Sequence, residues 1–306
     1  MIRVTDIAYV RLSAPDLEQM ETFLHEFGLE TVERSGSILY ARGRDPRPFV
    51  HVTEKGEPGF LGLGFHAETL DDLQKLASEV GLPVEDNDAP GGGKILRMVD
   101  PDGFKVEVVA GFARPEARPL QRRLVHNDAE VHPRKGNALR VGAGPSQVKR
   151  LGHAVVNVTD FRASEAWYKE RLGFVTSDEI QIAPDAPIGA FMRCDRGPIH
   201  VDHHTLFLVG TGKPGFNHAA FEVEHMDDLM VGHQHLLEKG RSHEWGVGRH
   251  FLGSQIFDYW RDPWGHAVEH WTDGDLFNNE TPPNIRTFDE LVANQWGPSA
   301  PPTMGA

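Results

Sequence analysis

"GRHFLGSQIFDYWRDPWGHAVEH", residues 248–270, sets His250, Tyr259 and Glu269 at intervals of nine and ten, with a Pro-x-Gly turn between the last two. The stretch is otherwise apolar enough to be sheet, and its turn folds the second half into a hairpin. The closing part, DPWGHAVEHW (262–271), has a twin at DPDGFKVEVV (100–109). That repetition decides the fold, because the similarity extends upstream in both places.

VTDIAYVRLSAPD (4–16) and VKRLGHAVVNVTD (148–160) share an alternating apolar run that ends on an aspartate placed to cap a helix. The first predicted helix carries Leu17, Met20, Phe23, Leu24 and Phe27 at spacings of three and four and stops at Gly28. The second carries Phe161, Trp167, Tyr168 and Leu172 before Gly173. Further on, LGLGFHAETLDDLQKL (61–76) parallels FNHAAFEVEHMDDLMV (216–231). Each copy therefore holds two short helices among several strands, an α+β plan with a mostly antiparallel sheet and helices to one side. Residues 1–111 are expected to form the first domain, 112–147 a Pro-, Arg-, Gly- and Asn-rich linker, and 148–275 the second domain. In the tail, 276–306, Leu276, Phe277, Leu291 and Trp296 predict docking on the surface.

A chain of 306 residues has room for two domains of ordinary size, each with its own core. No apolar run approaches the roughly 20 residues that span a bilayer, so a soluble chain without a membrane partner is expected. The start MIRVTDIAYV lacks the pattern of a secretory signal, and the single Cys194 has no internal disulfide partner, which points to the cytoplasm. A formal charge of −14 without a basic, aromatic-interleaved stripe argues against nucleic acid. The locally basic RPEARPLQRRL (114–124) suits a linker or a salt-bridged surface.

The copies differ where chemistry is expected. The second has His153 on its first strand, His218 on the strand before its second helix and Glu269 on its last strand; the equivalent places of the first hold Tyr9, Gly62 and Glu107. The scaffold thus has no need of imidazoles there, although a single strand histidine is ordinarily a hydrogen-bonded core or surface residue. His66 lies four residues past Gly62, but Tyr9 would still leave the first copy short of a ligand. Any metal belongs to the second copy. Strand parity lets three central strands aim one group each into one concavity. Two imidazoles and a carboxylate with open positions are the facial arrangement of non-haem Fe(II) oxygenases, and the helical H-E-x-x-H pair of zinc hydrolases is missing.

With these residues in view, the sequence resembles the type I extradiol ring-cleavage dioxygenases of the vicinal oxygen chelate superfamily. The resemblance covers nearly the whole chain: paired modules, a metal in the second, and a C-terminal extension. The opening stretch is similar to the family pattern G-x-G-R-H, then a Tyr, then D-P-x-G-x-x-x-E, and HHTLFLVG (203–210) is similar to the strand that brings an active-site histidine. The resemblance implies tandem vicinal-oxygen-chelate domains, each of paired βαβββ modules. It implies Fe(II), with Mn(II) as the alternative, on His153, His218 and Glu269. It implies His204 as acid–base residue on the oxygen side, and His250 and Tyr259 hydrogen-bonded to the oxygens of a catecholic substrate that reacts with O2. A homo-oligomer is implied as well.

His203 competes with His204, but neighbours on a strand face opposite ways, so one of them reaches the site. Relatives acting on carboxylated catechols carry Asn two residues after the first ligand; here that residue is Val155, and Asn157 lies two further on. Arg193 and Arg249 are candidates for contacting an anionic substituent, and Phe191, Trp245, Phe251 and Phe257 for walling an apolar pocket. Two other readings stay open: a glyoxalase-like isomerase or thiol transferase, and a non-catalytic protein that binds an aromatic ligand.

Overall fold

The structure, a computed structural model, describes residues 2–120 and 125–302; Met1, residues 121–124 of the basic stretch and 303–306 of the tail lie outside the described residues. The first copy runs β1 (Val4–Ala14), α1 (Leu17–Phe27), β2 (Glu30–Arg34), β3 (Ile38–Arg42) and β4 (His51–Lys55), then β5 (Gly59–Ala67), α2 (Leu70–Val80), β6 (Glu85–Asp86), β7 (Lys94–Val99) and β8 (Lys105–Ala110). The second runs β9 (Val148–Val158), α3 (Phe161–Leu172), β10 (Phe174–Ala183), β11 (Ala186–Cys194), β12 (Val201–Asp202) and β13 (Leu206–Gly210), then β14 (Gly215–Val223), α4 (Met226–Glu238), β15 (Ser242–His250), β16 (Ile256–Arg261) and β17 (Ala267–Thr272). The tail adds β18 (Leu276–Phe277), β19 (Asn284–Thr287), α5 (Phe288–Val292) and β20 (Asn294–Trp296).

Each copy is a pair of βαβββ modules, as expected, with the short β12 added in the second. The first strand of every module pairs in parallel with its last: β1 with β4, β5 with β8, β9 with β13, β14 with β17. Two modules join through the antiparallel pairs β1–β5 and β9–β14. An eight-stranded and a ten-stranded sheet result. The caps are those the sequence signalled. Asp16 accepts from the amides of Glu18 and Gln19 and Asp160 from that of Ala163, while Gly28 and Gly173 end their helices in the left-handed region.

Rather than two separate cores, one connected apolar cluster runs through both copies, from Ile2, Phe23 and Phe27 to Phe221, Leu236 and Trp260. Phe27 stacks on the His270 ring with centroids 3.8 Å apart, and His270 Nε2 donates to the Phe27 carbonyl at 2.7 Å. The tail does more than lie on the surface. It extends the larger sheet at both ends, β19 beside β10 and β20 beside β15, so that α5 crosses between the two edges.

Gly28 sits at the seam with φ +108°, and a Cβ there would lie 2.1 Å from the Ser146 carbonyl oxygen. Gly28→Ala is expected to cost about 1–3 kcal/mol through left-handed strain and overpacking. Gly36→Ala, where a Cβ meets nothing within 4 Å, should stay within about 0.5 kcal/mol of wild type in urea unfolding.

Candidate metal centre

Three adjacent central strands, β9, β14 and β17, bring His153, His218 and Glu269 together. The ladder sets this up: Ala220 pairs with His153 on one side and Glu269 on the other, and His218 is opposite Val155 and Ala267. His153 Nε2 and His218 Nε2 each lie 3.4 Å from Glu269 Oε2. Two bonds of about 2.1 Å meeting at roughly 90–110° put donor atoms ~3.0–3.4 Å apart, the spacing found here. His218 Nδ1 is 2.8 Å from Asn217 Oδ1, so the amide oxygen takes the Nδ1 proton and leaves Nε2 bare toward Glu269.

The electrostatics call for a cation. Glu269 is fully buried, and among the described residues neither of its oxygens has a hydrogen-bond partner. Burial, more than any neighbouring group, pushes its carboxyl well above the usual carboxylate range. Burial also holds His153 far below the ordinary imidazole value, and His218 and His250 at about 3, so all three rings are neutral and each has one bare nitrogen. A buried carboxylate with no donor beside two neutral imidazoles is a poor stand-alone arrangement and a fitting set for a divalent first-row ion.

The first copy solves the same problem without metal. Glu107, at the place of Glu269, accepts from Tyr9 Oη at 2.8 Å and from Arg11 Nη2 at 2.8 Å. Arg11 stands where the second copy has Val155, and its guanidinium neutralises the carboxylate. The sequence comparison singled out Tyr9 and Gly62 and missed Arg11, although the Arg-for-Val exchange two residues after Tyr9 was in plain view.

His204 lines the cavity beside the cluster, its ring 4.0 Å from that of His153. His204 and not His203 lines the cavity, but the expected reason for this, strand alternation, fails. Residues 203–205 lie before β13 and outside any strand, so strand alternation does not separate His203 from His204. Their Nδ1 atoms are 3.0 Å apart, and His203 Nε2 is 2.8 Å from Asp178 Oδ2. Asp178 in turn accepts from Asn284 and Arg286 of the tail. With His203 Nε2–H donating to Asp178, His203 Nδ1 is left to accept from His204 Nδ1–H, and His204 Nε2 is then bare.

His250 ends β15, and its Nε2 lies 3.0 Å from Tyr259 Oη and 3.9 Å from Glu269 Oε1. Tyr259 is directly opposite Glu269 in the ladder, and burial first, then that carboxylate, holds its phenol well above 10, so it keeps its proton. All six residues picked from the sequence thus converge. His153, His204, His218, His250 and Tyr259 line one cavity of about 300 Å³, with Phe191, Phe207, Trp245, Leu252 and Leu291 among its apolar walls. Arg193 and Arg249 are elsewhere: Arg193 is buried against carbonyls of Thr176, Asn278 and Thr281, and Arg249 pairs with Asp273. Phe251 is exposed and Phe257 packs behind His250, so neither walls the cavity. Phe288, Leu291 and Val292 of α5 do, a contribution that the tail's sequence did not signal.

Residues 150–270 match the Glyoxalase/Bleomycin resistance protein/Dioxygenase superfamily. The chain is 28% identical to metapyrocatechase 2 of Cupriavidus necator over 97% of this chain and 90% of that protein. It is 26% identical to an iron-dependent extradiol dioxygenase of Rhodococcus jostii over 91% and 92% of the two chains. Among solved structures it superposes on the Mn(II)-bound glyoxalase of Novosphingobium aromaticivorans with a TM-score of 0.79 at 23% identity, covering 99% and 98%. Over nearly its whole length the chain is similar to extradiol dioxygenases, and residues 150–270 match the superfamily model that includes them.

Selective 15N-histidine labelling of the metal-free protein should report Nδ1–H for His204 and Nε2–H for His203. In Asp178→Asn that pattern should be lost while the overall fold signals persist; an unchanged His204 tautomer would disprove the chain of hydrogen bonds.

Proposed function

We propose that this enzyme cleaves the aromatic ring of a catechol beside its diol, adding both atoms of O2, at one Fe(II) held by His153, His218 and Glu269, with Mn(II) able to take its place. The observation that carries the reading is the donor-less buried carboxylate between two bare imidazole nitrogens, facing an apolar cavity. The iron-dependent relative and the Mn(II)-bound neighbour support either metal. When bound, the ion supplies open positions for diol and dioxygen and a path for electrons between them.

The remaining work falls to the chain. Phe191, Trp245 and Leu252 exclude water and hold a planar ring against the cluster. Tyr259 keeps its proton and, with His250, donates to a diol oxygen, which favours the deprotonated diol. His204 Nε2 takes and returns a proton on the dioxygen side. A second metal cluster of this kind in the first copy gains no support, since that copy's carboxylate is spoken for by Arg11 and Tyr9.

In this reading 148–275 is the catalytic unit and 1–111 its metal-free twin, joined by 112–147. Among the described residues no helix is long and apolar enough to cross a membrane, and Cys194 is a free, buried thiol, which suits the cytoplasm. Exposed Ile182, Ile285, Phe288 and Val292, where the tail meets β10, offer an apolar surface for a homo-oligomer to cover.

Catechols added without air to the Fe(II)-loaded protein, then exposed to air, should give a yellow ring-opened product. His153→Ala and Glu269→Ala should lose metal and product together. His204→Phe should keep its metal and slow turnover roughly 10²–10⁴-fold; equal metal loss in all three would contradict these roles.

A further inference from the structure

A second group of two imidazoles and a carboxylate lies on the other face of the same sheet. His233 of α4, His243 of β15 and Asp258 of β16 each offer one ligand atom within 4.8 Å of the others. Asp258 is fully buried, with Oδ1 at 3.1 Å from His233 Nδ1 and 2.9 Å from His243 Nε2. Its Oδ2 accepts from the buried Trp260 Nε1 at 2.6 Å. The two imidazoles are 18% and 26% exposed, so the group is anchored from below and open to solvent above. Asp258 directly precedes Tyr259 on β16, and alternation sends Tyr259 to the cavity and Asp258 toward α4.

We propose that His233, His243 and Asp258 form a second, separate site for a divalent transition ion of the zinc kind, clamping α4 to the β15–β16 hairpin. Two imidazole nitrogens and one carboxylate oxygen are the donors borderline ions prefer, and the solvent side leaves a fourth position for water. The nitrogen–oxygen spacings of 2.9 and 3.1 Å need to open by only a few tenths of an ångström to become ligand–ligand distances. The Trp260 N–H holds Oδ2, which is also 3.1 Å from His233 Nδ1, and so fixes the carboxylate's orientation, as outer-sphere donors do in built metal sites. His233 and His243 stand on different elements with rings 5.0 Å apart and 89° to each other, so the ion would cross-link them. Because β15 and β16 also carry His250 and Tyr259, the clamp would brace the wall of the cavity from behind.

Co(II), whose visible bands report coordination, is the probe for the metal-free full-length protein. Wild type should take up two equivalents, Glu269→Ala one, and His243→Ala one. The single ion left in Glu269→Ala should be lost, or bound at least tenfold more weakly, when His243→Ala is added. His233→Gln, a partly exposed helix position, gives the same test should His243→Ala fold poorly. A wild-type count of one that Glu269→Ala abolishes would overturn this proposal and leave the catalytic reading standing. A count of one that His243→Ala abolishes and Glu269→Ala does not would support this site and sink the catalytic reading instead. A count of two unchanged by both His243→Ala and His233→Gln would overturn it as well.

Discussion

A carboxylate buried in the middle of a sheet must be met by positive charge, and both halves of this chain are organised around that requirement. Fully desolvated, an unpaired carboxylate either protonates or destabilises the fold. In the first copy a guanidinium and a phenol reach Glu107 directly. In the second, Val155 occupies the position of Arg11, and the groups nearest Glu269 Oε2 are the nitrogens of His153 and His218, with no guanidinium. The same backbone thus carries either a self-neutralised ion pair or a charge deficit that a divalent ion can fill.

The deficit is held in place by groups beyond the cluster. Asn217 fixes the tautomer of His218, and the Asp178–His203 pair fixes that of His204. Asp178 also binds Asn284 and Arg286, so the tail that supplies α5 to the cavity wall also ties down the proton network behind His204. Seam contacts such as Phe27 on His270 join the first copy to the last strand of the other, next to Glu269. This gives the first copy a mechanical role: it supports the strand that presents the carboxylate.

Charge also separates what enters the cavity from what does not. The two arginines that the sequence offered for an anionic substituent are consumed elsewhere, Arg193 by backbone carbonyls and Arg249 by Asp273. The walls are aromatic and aliphatic, and the polar atoms that reach the interior belong mainly to the histidines, Tyr259, Asn157, Asn217 and Gln255. Such a lining favours a neutral ring whose only strong polar groups are the two hydroxyls.

The sequence alone determined the repeat, the capped helices and the difference between copies, because each rests on local chemistry: Asp16 and Asp160 cap, Gly28 and Gly173 terminate, and imidazoles appear at equivalent strand positions in one copy only. Comparison of the copies, with strand alternation, was enough to single out His153, His218 and Glu269, and the hairpin's resemblance to the family pattern added His250 and Tyr259. Tertiary structure alone decided that His203 and His204 join ring to ring, since they fall in a bend where alternation lapses. It alone decided that Arg193 turns away from the cavity, that α5 closes it, and that His233, His243 and Asp258 meet. Those outcomes depend on which distant backbone arrives alongside, and no spacing along the chain encodes the approach of α4 to β16 or of the tail to β10.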